Sequence, residues 1–160
     1  MELEQLQSNE CDRIYFYKKQ VYVVDDDDSI LRAVKLLMVS HGFIVNTYSS
    51  SEDFFSAIPN SAPGCLILDI HLSGLNGWDA QQRLIKKKSN RPVIIITADK
   101  NDGLEEKALK AGALGFLQKP FNGQELVDLV NLGSEVEIRN QNNLGSISKW
   151  KGSKVMVAQF

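Results

Sequence analysis

The chain has 160 residues, 43% of them hydrophobic and 24% charged, with a formal net charge of −2. That length suits one domain with a real core, and these are ordinary globular values. The charge gives no support to broad nucleic-acid binding, and no apolar run approaches the ~20 residues that span a bilayer. The N-terminus carries no apolar signal segment, and nothing about Cys11 and Cys65 suggests a disulfide framework. A soluble cytoplasmic protein is expected.

Residues 1–19 are polar, with an aromatic cluster at Tyr15-Phe16-Tyr17, and read as a leader. Val21 to Val24 form an apolar, mostly β-branched run that does not alternate, as expected of a strand buried on both faces. Four carboxylates follow, Asp25 to Asp28. Adjacent like charges disfavour joint ionisation, and a bound hard cation relieves that conflict. A solvated acidic turn is the blander reading of such a run. Ser29 to Ser40 places Ile30, Leu31, Val34, Leu37 and Met38 at helical spacing, and Gly42 stops the helix. Phe43 to Tyr48 reads as a second strand. Ser51, with Glu52 and Asp53, marks a short helix that ends before Pro59.

Ala62-Pro63-Gly64 is a turn, and Cys65 to Asp69 repeats the opening pattern of a buried strand closing on a carboxylate. After a glycine-punctuated loop at 73–77, a helix runs from about Trp78 to Lys87. Pro92 to Thr97 is a fourth strand, ending on a hydroxyl. Asn101 or Asp102 can cap a helix running through Ala111 and broken at Gly112. Leu114 to Gln118 is a fifth strand, ending at Lys119-Pro120, and Gln124 to Leu132 a last helix. Strands alternate with helices five times, which predicts an α/β fold with a doubly wound, five-stranded parallel sheet. Residues 20–137 read as one domain. Residues 138–160 read as a basic tail or linker, too short for an output domain.

Four of the five predicted strands end in a charged or hydroxyl group. These are Asp25 and Asp26 after the first, Asp69 on the third, Thr97 on the fourth and Lys119 after the fifth. In a parallel sheet all of these ends lie along one edge, so three acids, one hydroxyl and one lysine converge. Each has a bland alternative: Thr97 as a strand-end hydroxyl bonding to backbone, Lys119 as a turn lysine. Asp69 resists one, because an unpartnered acid after Leu66-Ile67-Leu68 would be costly to bury.

The pieces Val-Val-Asp-Asp-Asp at 23–27, Leu-Asp-Ile-His-Leu-Ser-Gly-Leu-Asn-Gly at 68–77, Ile-Thr-Ala at 96–98, Lys-Ala-Gly-Ala at 110–113 and Gly-Phe-Leu-Gln-Lys-Pro-Phe at 115–121 carry a resemblance. In them the chain resembles the receiver domain of two-component response regulators. The resemblance implies a flavodoxin-like fold with strand order 2-1-3-4-5. It implies Asp69 as the acceptor of a phosphoryl group from a sensor histidine kinase or phosphotransfer protein. It implies Mg²⁺ held by Asp26, Asp69 and the backbone carbonyl of His71, with Asp25 acting mainly through water. Lys119 and Thr97 would contact the phosphoryl oxygens, Ala98 would offer room and its backbone N–H, and the His71 ring would only tune the site. Lys119-Pro120 matches the family's cis peptide. Thr97 and Phe116 would form the switch, repacking a face of the fourth helix, fifth strand and fifth helix that meets a downstream effector protein. Homodimerisation is compatible with it; membrane and direct nucleic-acid binding are not expected.

The chain departs from the family at Ser73 and Asp28, where proline is frequent. An aspartate at a helix N-terminus is electrostatically favourable, so no loss is expected at Asp28. Three other functions compete. A Mg²⁺-dependent phosphatase with an aspartyl nucleophile wants a second acid two residues on, where His71 stands. A flavodoxin-like cofactor binder wants a phosphate-cradling loop where the four acids would repel phosphate. A degenerate receiver acting without phosphate is opposed by the complete set of acids, hydroxyl and lysine.

Overall fold

Alternate residues of each strand serve two different cores. Val21 and Val23, Cys65 and Ile67, and Ile94 and Ile96 pack into one cluster, while Tyr22 and Val24, Leu66 and Leu68, and Val93 and Ile95 pack into the other. This two-sided burial is why the strands show no alternation of apolar with polar residues. Full burial of one such side chain contributes about 1.5–3 kcal/mol.

The computed structural model describes residues 20–71, 77–86 and 91–142. The leader, the loop around Ser73, the lysines at 87 and 88 and the tail from 143 lie outside the described residues. In chain order the elements are β1 (Gln20–Val24), α1 (Asp28–Ser40), β2 (Ile44–Tyr48), α2 (Ser51–Ala57), β3 (Cys65–Asp69), α3 (Gly77–Lys86), β4 (Val93–Thr97), α4 (Leu104–Lys110), β5 (Gly115–Gln118) and α5 (Gly123–Asn142). All strand pairs are parallel, in the order β2-β1-β3-β4-β5. Leu31, Val34 and Met38 of α1 and Leu126, Val127, Leu129 and Val130 of α5 cover one face. Phe54 of α2, Ala80 of α3 and Ala108 of α4 cover the other. The fold is the expected doubly wound one.

Three local expectations differ from what is observed. Ser50, not Ser51, caps α2: its Oγ accepts from the Asp53 N–H at 3.1 Å, and Ser51 is buried as the first helical residue. Neither Asn101 nor Asp102 caps α4, which starts after Gly103 with no side-chain cap. Asn101 instead donates its N–H to Asp99 Oδ1 at 2.9 Å. The last helix does not stop at Leu132 but runs to Asn142, through residues whose polar composition reads as linker. Asp27 caps α1, with Oδ1 accepting from the Ser29 N–H at 2.9 Å.

Candidate functional site

Sheet register builds the site. Val24 pairs with Leu68, Asp69 with Ile96, and Thr97 with Gln118. The ladder continues past the strand ends: Asp25 N–H donates to Tyr48 O at 3.1 Å, and Lys119 N–H to Thr97 O at 2.6 Å. Asp25, Asp69, Thr97 and Lys119 therefore sit in one row along the C-terminal edge. α3 packs closely behind it. Gly77 donates its N–H to Ile70 O at 3.2 Å, and a Cβ at Gly77 would lie 2.4 Å from both Asp69 O and Ile70 Cα. No side chain fits there.

Asp25, Asp26 and Asp69 each offer a carboxylate oxygen, all within 4.8 Å of one another; Asp25 and Asp69 are buried and Asp26 is exposed. Lys119 bridges the buried pair, its Nζ donating to Asp25 Oδ2 at 2.6 Å and Asp69 Oδ2 at 3.1 Å. Burial pushes the Asp25 carboxyl above its usual value, against the hydrogen bonds from Lys119 and the Asp27 N–H. Burial pulls the Lys119 ammonium down, but its bonds to Asp25 and Asp69 outweigh this and leave it raised. One lysine balances one of three carboxylates. The remaining charge, offered by hard oxygen donors beside the exposed Asp26, fits a small divalent cation such as Mg²⁺.

The second Asp69 oxygen, Oδ1, accepts from the His71 N–H at 2.9 Å. The His71 ring turns away, with Nε2 lying 2.9 Å from Asp99 Oδ2. Asp99 is held below the usual carboxylate range by the Asn101 N–H and by His71. Its own N–H donates to Thr97 Oγ1 at 3.0 Å. Thr97 is fully buried, Ala98 is exposed beside it, and Phe116 is half-buried against the second core cluster. The Lys119-Pro120 peptide is cis.

All the singled-out residues on strand ends thus share one edge, with Phe116 on β5 below it. Three features escaped sequence reasoning. The shortest ion pair at the site joins Asp25 to Lys119 across 94 positions, and no local pattern signals it. The pairing of the His71 ring with Asp99 is equally non-local. The demand for glycine at position 77 arises from helix packing on Asp69, which only the assembled fold creates.

Residues 21–131 match the family model described as the response regulator receiver domain. The response regulator protein TmoT of Ectopseudomonas mendocina is 33% identical over 133 residues, covering 83% of this chain and 60% of that protein. The chain thus spans about three fifths of that relative's length. Among solved structures, the response regulator StyR is similar with a TM-score of 0.74 and 30% identity, over 84% of this chain and 68% of that one. A response regulator receiver protein from Burkholderia phymatum is similar with a TM-score of 0.64 and 41% identity, over 73% of this chain and 95% of that one.

Proposed function

The chain belongs to the response regulator receiver family, and from that premise we propose that it accepts a phosphoryl group on Asp69 from a histidine kinase or phosphotransfer protein. The observation that carries this reading is the convergence of Asp25, Asp26 and Asp69 within 4.8 Å, with Lys119 bridging two of them. A carboxylate oxygen of Asp69 attacks phosphorus as the bond to the donor's imidazole nitrogen breaks, leaving an acyl phosphate. Transfer of this kind is driven by positioning and by balancing charge on the phosphoryl oxygens.

Lys119 is placed for that task. It gives up its hold on Asp69 Oδ2 and donates to a phosphoryl oxygen instead. The His71 N–H keeps Asp69 oriented through Oδ1. Asp25, Asp26, Asp69 and the His71 carbonyl would hold Mg²⁺, which when bound neutralises charge on the acids and on the phosphoryl group. The backbone N–H of Ala98, exposed at the end of β4, would be offered to the incoming group. The Thr97 hydroxyl, which accepts from the Asp99 N–H, then turns to donate to a phosphoryl oxygen, and Phe116 repacks beneath it. That is a local charge event biasing a two-state element, and it changes the surface of α4, β5 and α5 that an effector protein reads. In this reading the protein assists its own modification and acts as a signalling switch in the cytoplasm. An aspartyl-nucleophile phosphatase would need a general acid at position 71, and the ring there is bound to Asp99.

Incubation with acetyl phosphate and Mg²⁺, read by intact mass, tests the proposal. The wild type gains one phosphoryl group and Asp69→Asn gains none. A wild type that stays unmodified with saturating Mg²⁺, or an Asp69→Asn variant that is still modified, overturns it.

A further inference from the structure

Helix α4 packs Ala108 and Leu104 into the second core cluster. Glycines in the left-handed region flank it, Gly103 at φ 85° and Gly112 at φ 100°. Among the described residues, one hydrogen bond joins α4 to another element: Gln81 Nε2 of α3 donates to Ala108 O at 3.3 Å. Gln81 is 2% exposed, and its Oε1 has no partner. A backbone carbonyl only accepts, so the amide nitrogen must face Ala108 and the oxygen is left stranded. The bond is long and its far end is unsatisfied, a combination that makes a buried polar contact easy to exchange. Beside it, Lys107 Nζ lies 4.3 Å from the centre of the Trp78 ring. A cleft of about 610 Å³ opens along this seam, between Trp78 and Gln82 of α3 and Lys107 and Lys110 of α4.

We propose that Gln81 is a positioning residue that latches α4 to α3 in the resting state, and that modification of Asp69 releases the latch. This rests on the phosphoacceptor reading for its trigger. α3 is the natural carrier, because Gly77 at its first turn abuts the backbone of Asp69 and Ile70. A change at Asp69 that shifts this turn also shifts Trp78, beside Gly77, and Gln81, one turn further on. The glycines at both ends let α4 move as a unit, and the cleft gives it room. The route is separate from the one through Thr97 and Phe116.

The test uses Gln81→Met, which conserves volume and removes both the bond and the stranded oxygen. Without any phosphodonor, hydrogen exchange of residues 104–111 rises severalfold, the weight of one net hydrogen bond, while β3 and β4 are unchanged. With acetyl phosphate and Mg²⁺, Trp78 emission is followed in a Trp150→Phe background, since these are the chain's two tryptophans. Emission shifts in step with the mass gain when Gln81 is present, and by less than half as much in Gln81→Met, although that variant gains the same mass. Unchanged exchange at 104–111 overturns the latch, as does an equal rise across β3 and β4. So does a steady Trp78 emission in a sample whose mass shows the phosphoryl group. A wild type that takes up no phosphate sinks the phosphoacceptor reading and the trigger with it, while the exchange measurement still decides the latch.

Discussion

Asp25 and Lys119 are an ion pair whose members act on each other's protonation in opposite senses to burial. The Asp25 carboxyl is raised because desolvation exceeds what the lysine returns, and the lysine is raised because two carboxylates exceed its own desolvation. Removing the lysine leaves two buried acids facing each other without a cation. Lys119→Met should therefore cost about 3 kcal/mol near neutral pH, in line with breaking a buried pair from one side. The sign of the pH dependence follows from Asp25. A raised carboxyl holds its proton more tightly in the folded state than in the unfolded chain. Its charged form therefore costs stability above the raised value, and acidification down through that value removes the cost. The penalty of Lys119→Met should be smaller in acid than at neutral pH, because the stranded Asp25 then takes a proton. Urea unfolding at both pH values measures it. A constant penalty would mean that the lysine contributes packing rather than charge.

At the scale of elements, α3 is the least tolerant part of the site. Its first residue meets backbone, not a flexible side chain, so no rotamer change can relieve an added methyl. Gly77→Ala should destabilise the fold by about 1–3 kcal/mol, the range seen when a packed site is overfilled. It should also slow phosphoryl uptake by pushing Asp69 out of line, which acetyl phosphate labelling would read as a slower mass gain. A variant with wild-type stability and rate would mean that the turn before α3 rearranges freely. The same element shows where sequence reasoning reaches its limit. The strands were legible because Val21–Val24, Cys65–Asp69 and Val93–Thr97 are buried throughout, and unbroken apolar runs of that length have few other uses. Caps were less legible, because Ser50 and Ser51 are chemically equal and only the φ and ψ of the chain choose between them. The end of α5 is not legible in the sequence because Asn and Gln suit a linker, yet a helix already packed through Leu126, Val127 and Val130 propagates past its covered face.

For the whole molecule, the consequence is a rigid sheet that carries a poorly compensated cluster of charge on one edge. The residues of that cluster could be named from sequence because topology alone sends parallel strand ends to one side. Their pairings could not, since Lys119 could equally have met Asp26. Asp26 is the exposed member and makes no ion pair among the described residues, so it contributes little to the apo fold. Asp26→Asn should leave apo stability within about 0.5 kcal/mol of wild type. Its effect should appear only through the proposed cation. A ligand that binds the folded state alone stabilises it by about 2.7 kcal/mol at a hundredfold excess over its Kd. For a domain of this size that is a rise in Tm of roughly 10 °C. Thermal unfolding with and without Mg²⁺ should show that rise in wild type and lose most of it in Asp26→Asn. Asp25 must also be ionised to join the site, so the rise should fade as pH drops through its raised value. Equal Mg²⁺ stabilisation of both proteins would place the cation elsewhere, and the acidic edge would then be a strained surface without a ligand.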